Sequence, residues 1–234
     1  MAVITISREY GCPADVIALK LSRLLNYRYL DKQVIKYVAM IVNLPEEKVM
    51  AFDEDKHSNI RTILSKYFDI DIFKDMLSFS EEEFNKEIAN IKQEDSIFDE
   101  KIIYDMVLDA ELFQRIVERI IISESKKDNI IIIGRGGQCI LRDLENAIHI
   151  RMVAPLEDRV RWVVENEGLT EDKAKDVILE TDKRKRKFLK YYFKEDIDDC
   201  NLYHLCINLE YFVLEEVVEL ISNVVSIKEK GLYE

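Results

Sequence analysis

The chain has 234 residues, 48% of them apolar, with Lys plus Arg at 34 against 46 Asp plus Glu, a formal net charge of −12. That length and composition support one sizeable packed domain, or a domain with a large insertion. They exclude a general nucleic-acid binder unless the cations are concentrated in one place. No run approaches twenty uninterrupted apolar residues, so no membrane partner is expected. The start lacks a basic region followed by an apolar one, so a cytoplasmic location is expected. The four cysteines (Cys12, Cys139, Cys200, Cys206) show no C-x-x-C spacing. Free thiols are expected of them, and no metal site.

In chain order, Ala2-Val3-Ile4-Thr5-Ile6-Ser7 reads as a buried strand, Arg8 to Asp15 as a tight loop, and Val16 to Leu21 as an amphipathic helix with Ile17, Leu21, Leu24 and Leu25 on one face. This order is the frame of a phosphate-binding loop, in which backbone amides and a helix start cradle an anion. Tyr27 to Leu30 is a short extended piece. Val34, Val38, Ile41 and Val42 share another helical face. Residues 43–128 then break the alternation, with Pro45 opening one helix, a capping box of Ser80 and Glu83, and a stripe from Leu108 through Leu112, Ile116 and Ile120. This segment reads as a helical insertion between the second and third strands, and its acidic surface offers a face to a partner or to a second copy.

The strand-and-helix alternation resumes at Ile130-Ile131-Ile132-Ile133, a β-branched run suited to a strand buried on both faces. Ala147 to Val153 and Leu205 to Asn208 are further strands. Val160, Val163 and Val164 mark a helix after Pro155, and Leu214, Val217, Val218, Ile221, Val224 and Val225 a C-terminal one. Arg159 and Arg161 on the former read mostly as structure, as do Trp162 and the scattered His57, His149 and His204. Strands alternating with helices imply a parallel sheet with right-handed crossovers.

Several stretches together carry a family resemblance: ITISREYG at the start, Tyr29-Leu30-Asp31-Lys32, IIGRGGQCILRD at 132–143, VAPLEDRV at 153–160, and a basic helix beginning near Asp182. The chain resembles the cytidylate kinase-like family, relatives of the P-loop nucleoside monophosphate kinases. The resemblance implies an α/β fold with a P-loop NTPase-type parallel sheet flanked by helices. The core would be residues 1–42 and 129–234 with a basic lid at 182–193, and 43–128 a flap on the acceptor side. It also implies ATP with Mg²⁺ at the first loop, and a nucleotide or other phosphate-bearing small molecule as partner.

The loop departs from that pattern. With G-x-x-x-x-G-K laid on residues 8–14, Arg8 stands for the first glycine, Pro13 for the second and Ala14 for the lysine, while Asp15 or Val16 stands for the hydroxyl residue. Gly11 remains, and Cys12-Pro13-Ala14-Asp15 replaces the family's usual Ser-Gly-Gly-Arg. With Pro13 at the first helical position, Cys12 would be the cap and Asp15 the third helical residue, a carboxylate on the helix's free amides. Such a carboxylate repels a triphosphate: two charges ~4 Å apart interact by roughly 4 kcal/mol at an effective dielectric of about 20.

The second constellation is Gly134-Arg135-Gly136-Gly137-Gln138. It follows a buried strand, and the carboxyl ends of such strands are where ligands bind. Arg135 suits a phosphate or a pyrimidine carbonyl. The family's Asp-Gly-Arg-Asp appears here as Ile133-Gly134-Arg135-Gly136. Asp31 is read equally as a ribose or Arg135 partner and as the cap of the next helix. The third constellation is Lys183-Arg184-Lys185-Arg186-Lys187 and Lys190, after Asp182. Mobile cations of this kind stabilise charge on a transferring phosphoryl group, which makes Arg184, Lys185 and Arg186 the catalytic candidates. Nucleotide binding is expected of Arg8, Gly11, Cys12, Pro13, Ala14, Asp15, Asp31, Arg135 and Gln138. Three functions stay open: an ATP-dependent nucleotide kinase, a non-catalytic nucleotide or anion sensor, and a protein-interaction module.

Overall fold

The computed structural model describes residues 2–30, 36, 110–127 and 129–231. The chain divides into a unit of Met1–Asp31 with Glu124–Glu234 and a unit of Lys32–Ser123. The expected helices around Val34, Pro45 and Ser80, and the position of Asp31, lie outside the described residues. Of the second unit, the structure describes most of one helix. It spans Ala110–Ser125 and carries the expected stripe through Ile116 and Ile120, with Gln114 Nε2 donating to Glu118 Oε1 at 3.3 Å one turn on.

The first unit is built on five parallel strands: β1 (Val3–Arg8), β2 (Arg28–Leu30), β3 (Ile130–Ile133), β4 (Ala147–Val153) and β5 (Leu205–Asn208). Their order in the sheet is β2-β3-β1-β4-β5. Ile4 of β1 lies opposite Ile131 on one side and Ile148 on the other, so one face of the central strand lies in a band of isoleucines, while Thr5 and Ser7 on its other face are buried and bonded to His149 and Arg151. The chain leaves β1 toward β2 but leaves β3 and β4 in the opposite direction. With right-handed crossovers the following helices then fall on opposite faces, which opens a crevice at the carboxyl end of β1.

Six helices complete the description: α1 (Ala14–Leu25), α2 (the Ala110–Ser125 helix), α3 (Gly137–Ile140), α4 (Leu156–Glu167), α5 (Glu171–Tyr192) and α6 (Leu214–Glu229). Helix α1 buries Ala14, Ile17, Ala18 and Leu21, and α6 buries Val217, Val218, Ile221 and Val225. The two pack together. Helix α1 ends at Asn26 in the left-handed conformation (φ 56°), a residue type that tolerates it. Helices α4 and α5 share a core of Val163, Ala174 and Ile178, joined by Tyr10 from the first loop. Among the described residues no helix is long and apolar enough to cross a membrane.

Two expectations are corrected here. Pro13 is the cap of α1 rather than its first residue, at φ −74° and ψ 36°; proline's fixed φ suits either place. Asp15 is therefore the second helical residue, and its Oδ1 accepts no hydrogen bond. The basic helix does not begin near Asp182. It begins at Glu171 and runs 22 residues, because the Glu171-Asp172 start suits the helix dipole and nothing between them and Asp182 breaks the helix.

Candidate functional site

The loop from Glu9 to Pro13 leaves β1 at the crevice, and several of its backbone amides are bonded within the chain. The Glu9 amide donates to Met152 O (3.1 Å), that of Cys12 to Glu9 O (3.4 Å) and that of Ala14 to Cys12 O (2.8 Å). The Tyr10 amide donates to Asp182 Oδ1 on α5, 2.8 Å away. A phosphate-binding loop offers such amides to a ligand. Here helix α5 supplies the anion for one of them.

Asp182 is buried, and its second oxygen accepts from Arg159 Nη1 at 2.6 Å. Arg159 also donates to Ala154 O (3.0 Å) and Tyr10 O (3.1 Å), and lies 3.5 Å from Glu9 Oε2. Arg159 thus fastens loop, α4 and α5 to one another. Gly11 sits at φ +85°, and a Cβ there would lie 2.9 Å from both the carbonyl oxygen and the Cβ of Arg159. The glycine in the loop accordingly admits the backbone of α4.

Lys185, one turn beyond Asp182, donates to the Arg8 carbonyl at 2.8 Å. Its ammonium stands over the Tyr10 ring and 3.9 Å from Asp182 Oδ1. Desolvation, followed by the charge of Arg8, lowers its pKa to about 7. Tyr10 closes the other side of the loop, its hydroxyl donating to the Glu167 carboxylate at 3.0 Å; burial and the Glu167 charge push its pKa up. Burial, then the Glu9 charge, pushes the Cys12 thiol up to about 12. Cys12 is thus a neutral packing residue and not a reactive thiolate.

Arg8 reaches across the crevice in two directions. Its Nη2 lies 3.7 Å from Asp15 Oδ1. Its Nη1 approaches Gly134 so closely that a Cβ there would be 2.7 Å away. Arg135 follows at φ 57°, a left-handed position that a non-glycine residue holds only where its surroundings demand it. The ring of Phe193, at the end of α5, fills the space above Gly136, where a Cβ would meet Cε2 at 2.4 Å. Gln138 is buried and donates from Nε2 to the Tyr203 hydroxyl at 3.4 Å. That hydroxyl reaches Ile197 O (2.9 Å) and Ser7 Oγ (3.4 Å).

Of the three cations expected to be catalytic, Lys185 reaches the end of β1. Arg186 Nε donates to Asp198 Oδ2 at 2.9 Å, and Arg184 Nη2 donates to Thr181 Oγ1 at 2.9 Å within its own helix. Sequence reasoning missed Glu9, Tyr10, Arg151 and Asp198, and set Arg159 aside as structural. A signal existed for Arg151: an arginine in the middle of the apolar strand Ala147–Val153 must find a partner inside.

A five-stranded parallel sheet with a strand–loop–helix at the end of its central strand, and a basic helix seated on that loop, defines a P-loop kinase-type core. The chain belongs to the cytidylate kinase-like family, whose model matches residues 3–211. It is 30% identical over 125 residues to the cytidylate kinase of Sulfolobus acidocaldarius, a match covering 53% of this chain and 63% of that one. To the cytidylate kinase of Staphylothermus marinus it is 29% identical over 118 residues, covering 50% and 63%. The chain thus spans less than two thirds of the length of these curated relatives. A solved structure of an uncharacterized protein from Eubacterium ventriosum shares the fold, with a TM-score of 0.62 at 17% identity, covering 97% of this chain and 99% of that one.

Proposed function

We propose that this chain binds a nucleotide or a similar phosphate-bearing small molecule at the carboxyl end of β1, and that it transfers phosphoryl groups from Mg–ATP weakly or not at all. One observation carries the reading: Asp15, in the first turn of α1, stands 3.7 Å from Arg8, so the guanidinium at the start of the loop faces a carboxylate of the chain itself. The amide of Tyr10 and the ammonium of Lys185 are likewise engaged inside the chain. A triphosphate arriving here meets the amides of Tyr10, Cys12 and Ala14 already bonded and a negative charge at the helix start, where the family fold offers a positive one.

A kinase reading keeps one specific support. Lys185 sits beside the end of β1, and together with Arg186 it belongs to a helix that closes on the loop. Such a cation stabilises equatorial charge in phosphoryl transfer. In that reading ATP and Mg²⁺ occupy the loop, and Arg135 takes the acceptor's phosphate or base. Arg8, Lys185 and Arg186 would then neutralise the transferring group, and Mg²⁺ would supply the remaining charge.

Thermal unfolding with added Mg–ATP, and separately with CMP and other monophosphates, decides between them. A ligand at a hundred times its Kd stabilises by about 2.7 kcal/mol. Stabilisation by a monophosphate with little response to Mg–ATP is expected. Equal stabilisation by both, with ADP formed on mixing, would restore the kinase reading. No response to any nucleotide would end both.

A further inference from the structure

Arg151 is a charge in the interior of the sheet unit. Only 5% of its side chain is exposed. Its Nη1 donates to Ser7 Oγ (3.1 Å), its Nη2 to Asp198 Oδ1 (3.0 Å), and its Nε is buried without a hydrogen-bond partner. A buried guanidinium must keep an anion beside it, because the cost of leaving it alone is several kcal/mol.

The anion it keeps is an unusual one for a buried cation. Asp198 is 47% exposed and shared, since its other oxygen accepts from Arg186 on α5. One carboxylate therefore bridges two guanidinium groups from two different elements, the arrangement in which arginines hold two oxygens of a phosphoryl group. The Ser7 hydroxyl borders it, and Ser7 directly precedes Arg8, whose carbonyl holds Lys185. Burial pushes the Asp198 carboxyl up, but the Arg186 hydrogen bond and the charges of Arg186 and Arg151 more than reverse this, so it stays ionised.

We propose that Asp198 is a stand-in for a phosphoryl group, and that the ligand's phosphate takes Arg151 and Arg186 by displacing it. The exchange replaces one anion by another, so Arg151 is never left unpaired, and the half-exposed Asp198 is rehydrated on leaving. The buried Asp182 has no such exit. The seat rests on the nucleotide-binding reading for the nature of its ligand, and makes Asp198 the residue that sets affinity.

The test is calorimetric titration with inorganic pyrophosphate and with CMP, at one fixed salt concentration. Wild type would be compared with Asp198→Asn, Asp198→Ser, Asp198→Glu and Arg151→Gln. Removing the competing charge should tighten binding of both probes about tenfold in the Asn and Ser variants. Asp198→Glu keeps a carboxylate and should stay near wild type, a difference that a merely structural role would not produce. Arg151→Gln should abolish binding. If either neutral variant folds and binds no tighter than wild type, the proposal is overturned. A gain for pyrophosphate with no CMP binding by any form would sink the nucleotide reading and leave the seat standing. CMP binding by wild type with no gain for either probe would do the reverse.

Discussion

Asp15 and Arg8 decide between an occupied and an available phosphate loop. Asp15→Arg removes the carboxylate and puts a cation at the helix start. Mg–ATP should then bind at least about tenfold more tightly, since opposed charges near a surface differ by a few kcal/mol. Equilibrium titration checks this, and unchanged or weaker affinity would count against the charge argument. His149 is a residue-scale device of another kind. It is buried, its Nδ1 lies 2.8 Å from Thr5 Oγ1, and its backbone amide donates to His204 Nδ1 (2.9 Å). Burial, then the His204 charge, lowers its pKa to about 4. Between that value and about 6.5 the unfolded chain binds a proton that the folded chain refuses, so stability falls as pH drops through this window. The full difference is on the order of 3 kcal/mol. Urea unfolding at pH 7, 6, 5 and 4 should show the decline, and His149→Gln should flatten part of it.

At the scale of elements, the contact of loop, α4 and α5 is the most consequential. Gly11→Ala forces a left-handed φ on alanine and drives its Cβ to within 2.9 Å of α4 backbone. We expect a loss of about 2 kcal/mol or more, read by urea unfolding. Asp182→Asn takes from the buried Arg159 its nearer carboxylate, leaving Glu9 Oε2 at 3.5 Å, and should cost about 3 kcal/mol. The elements themselves were largely legible in the sequence. The Ile130–Ile133 run and the valine stripes of α4 and α6 stand where periodicity puts them, because a two-faced burial and an amphipathic face write themselves locally. The cap of α1 and the start of α5 were not, since proline fits two helix-start positions and the basic run hides an acidic helix start eleven residues earlier. The partners of Asp182, Arg151 and Asp198 were out of reach for a different reason. Tyr10 and Asp182 are 172 residues apart, and only the folded chain brings them together.

Over the whole molecule, net charge argues against nucleic acid as the partner of the basic helix. The net charge is −12, and three of the described cations of α5 are engaged by groups of the chain: Lys185 by the Arg8 carbonyl, Arg184 by Thr181 and Arg186 by Asp198. Nucleic acid binding depends on cations free to replace condensed counterions. A gel-shift titration with single- and double-stranded oligonucleotides at about 150 mM salt, a strength that screens beyond roughly 8 Å, should therefore show no retention. Retention would mean that the exposed Lys183, Lys187 and Lys190 outweigh the net negative charge of the chain.

The fastening of α4 and α5 to the first loop uses main-chain atoms on the loop side: the carbonyl of Tyr10 toward α4, and the amide of Tyr10 and the carbonyl of Arg8 toward α5. Main-chain atoms are the same for every residue but proline. Side chains at Cys12, Ala14 and Asp15 can therefore be exchanged while both helices keep their seat, so the chemistry of the loop is set independently of its architecture. Gly11 is the exception, because there the missing side chain is itself the contact.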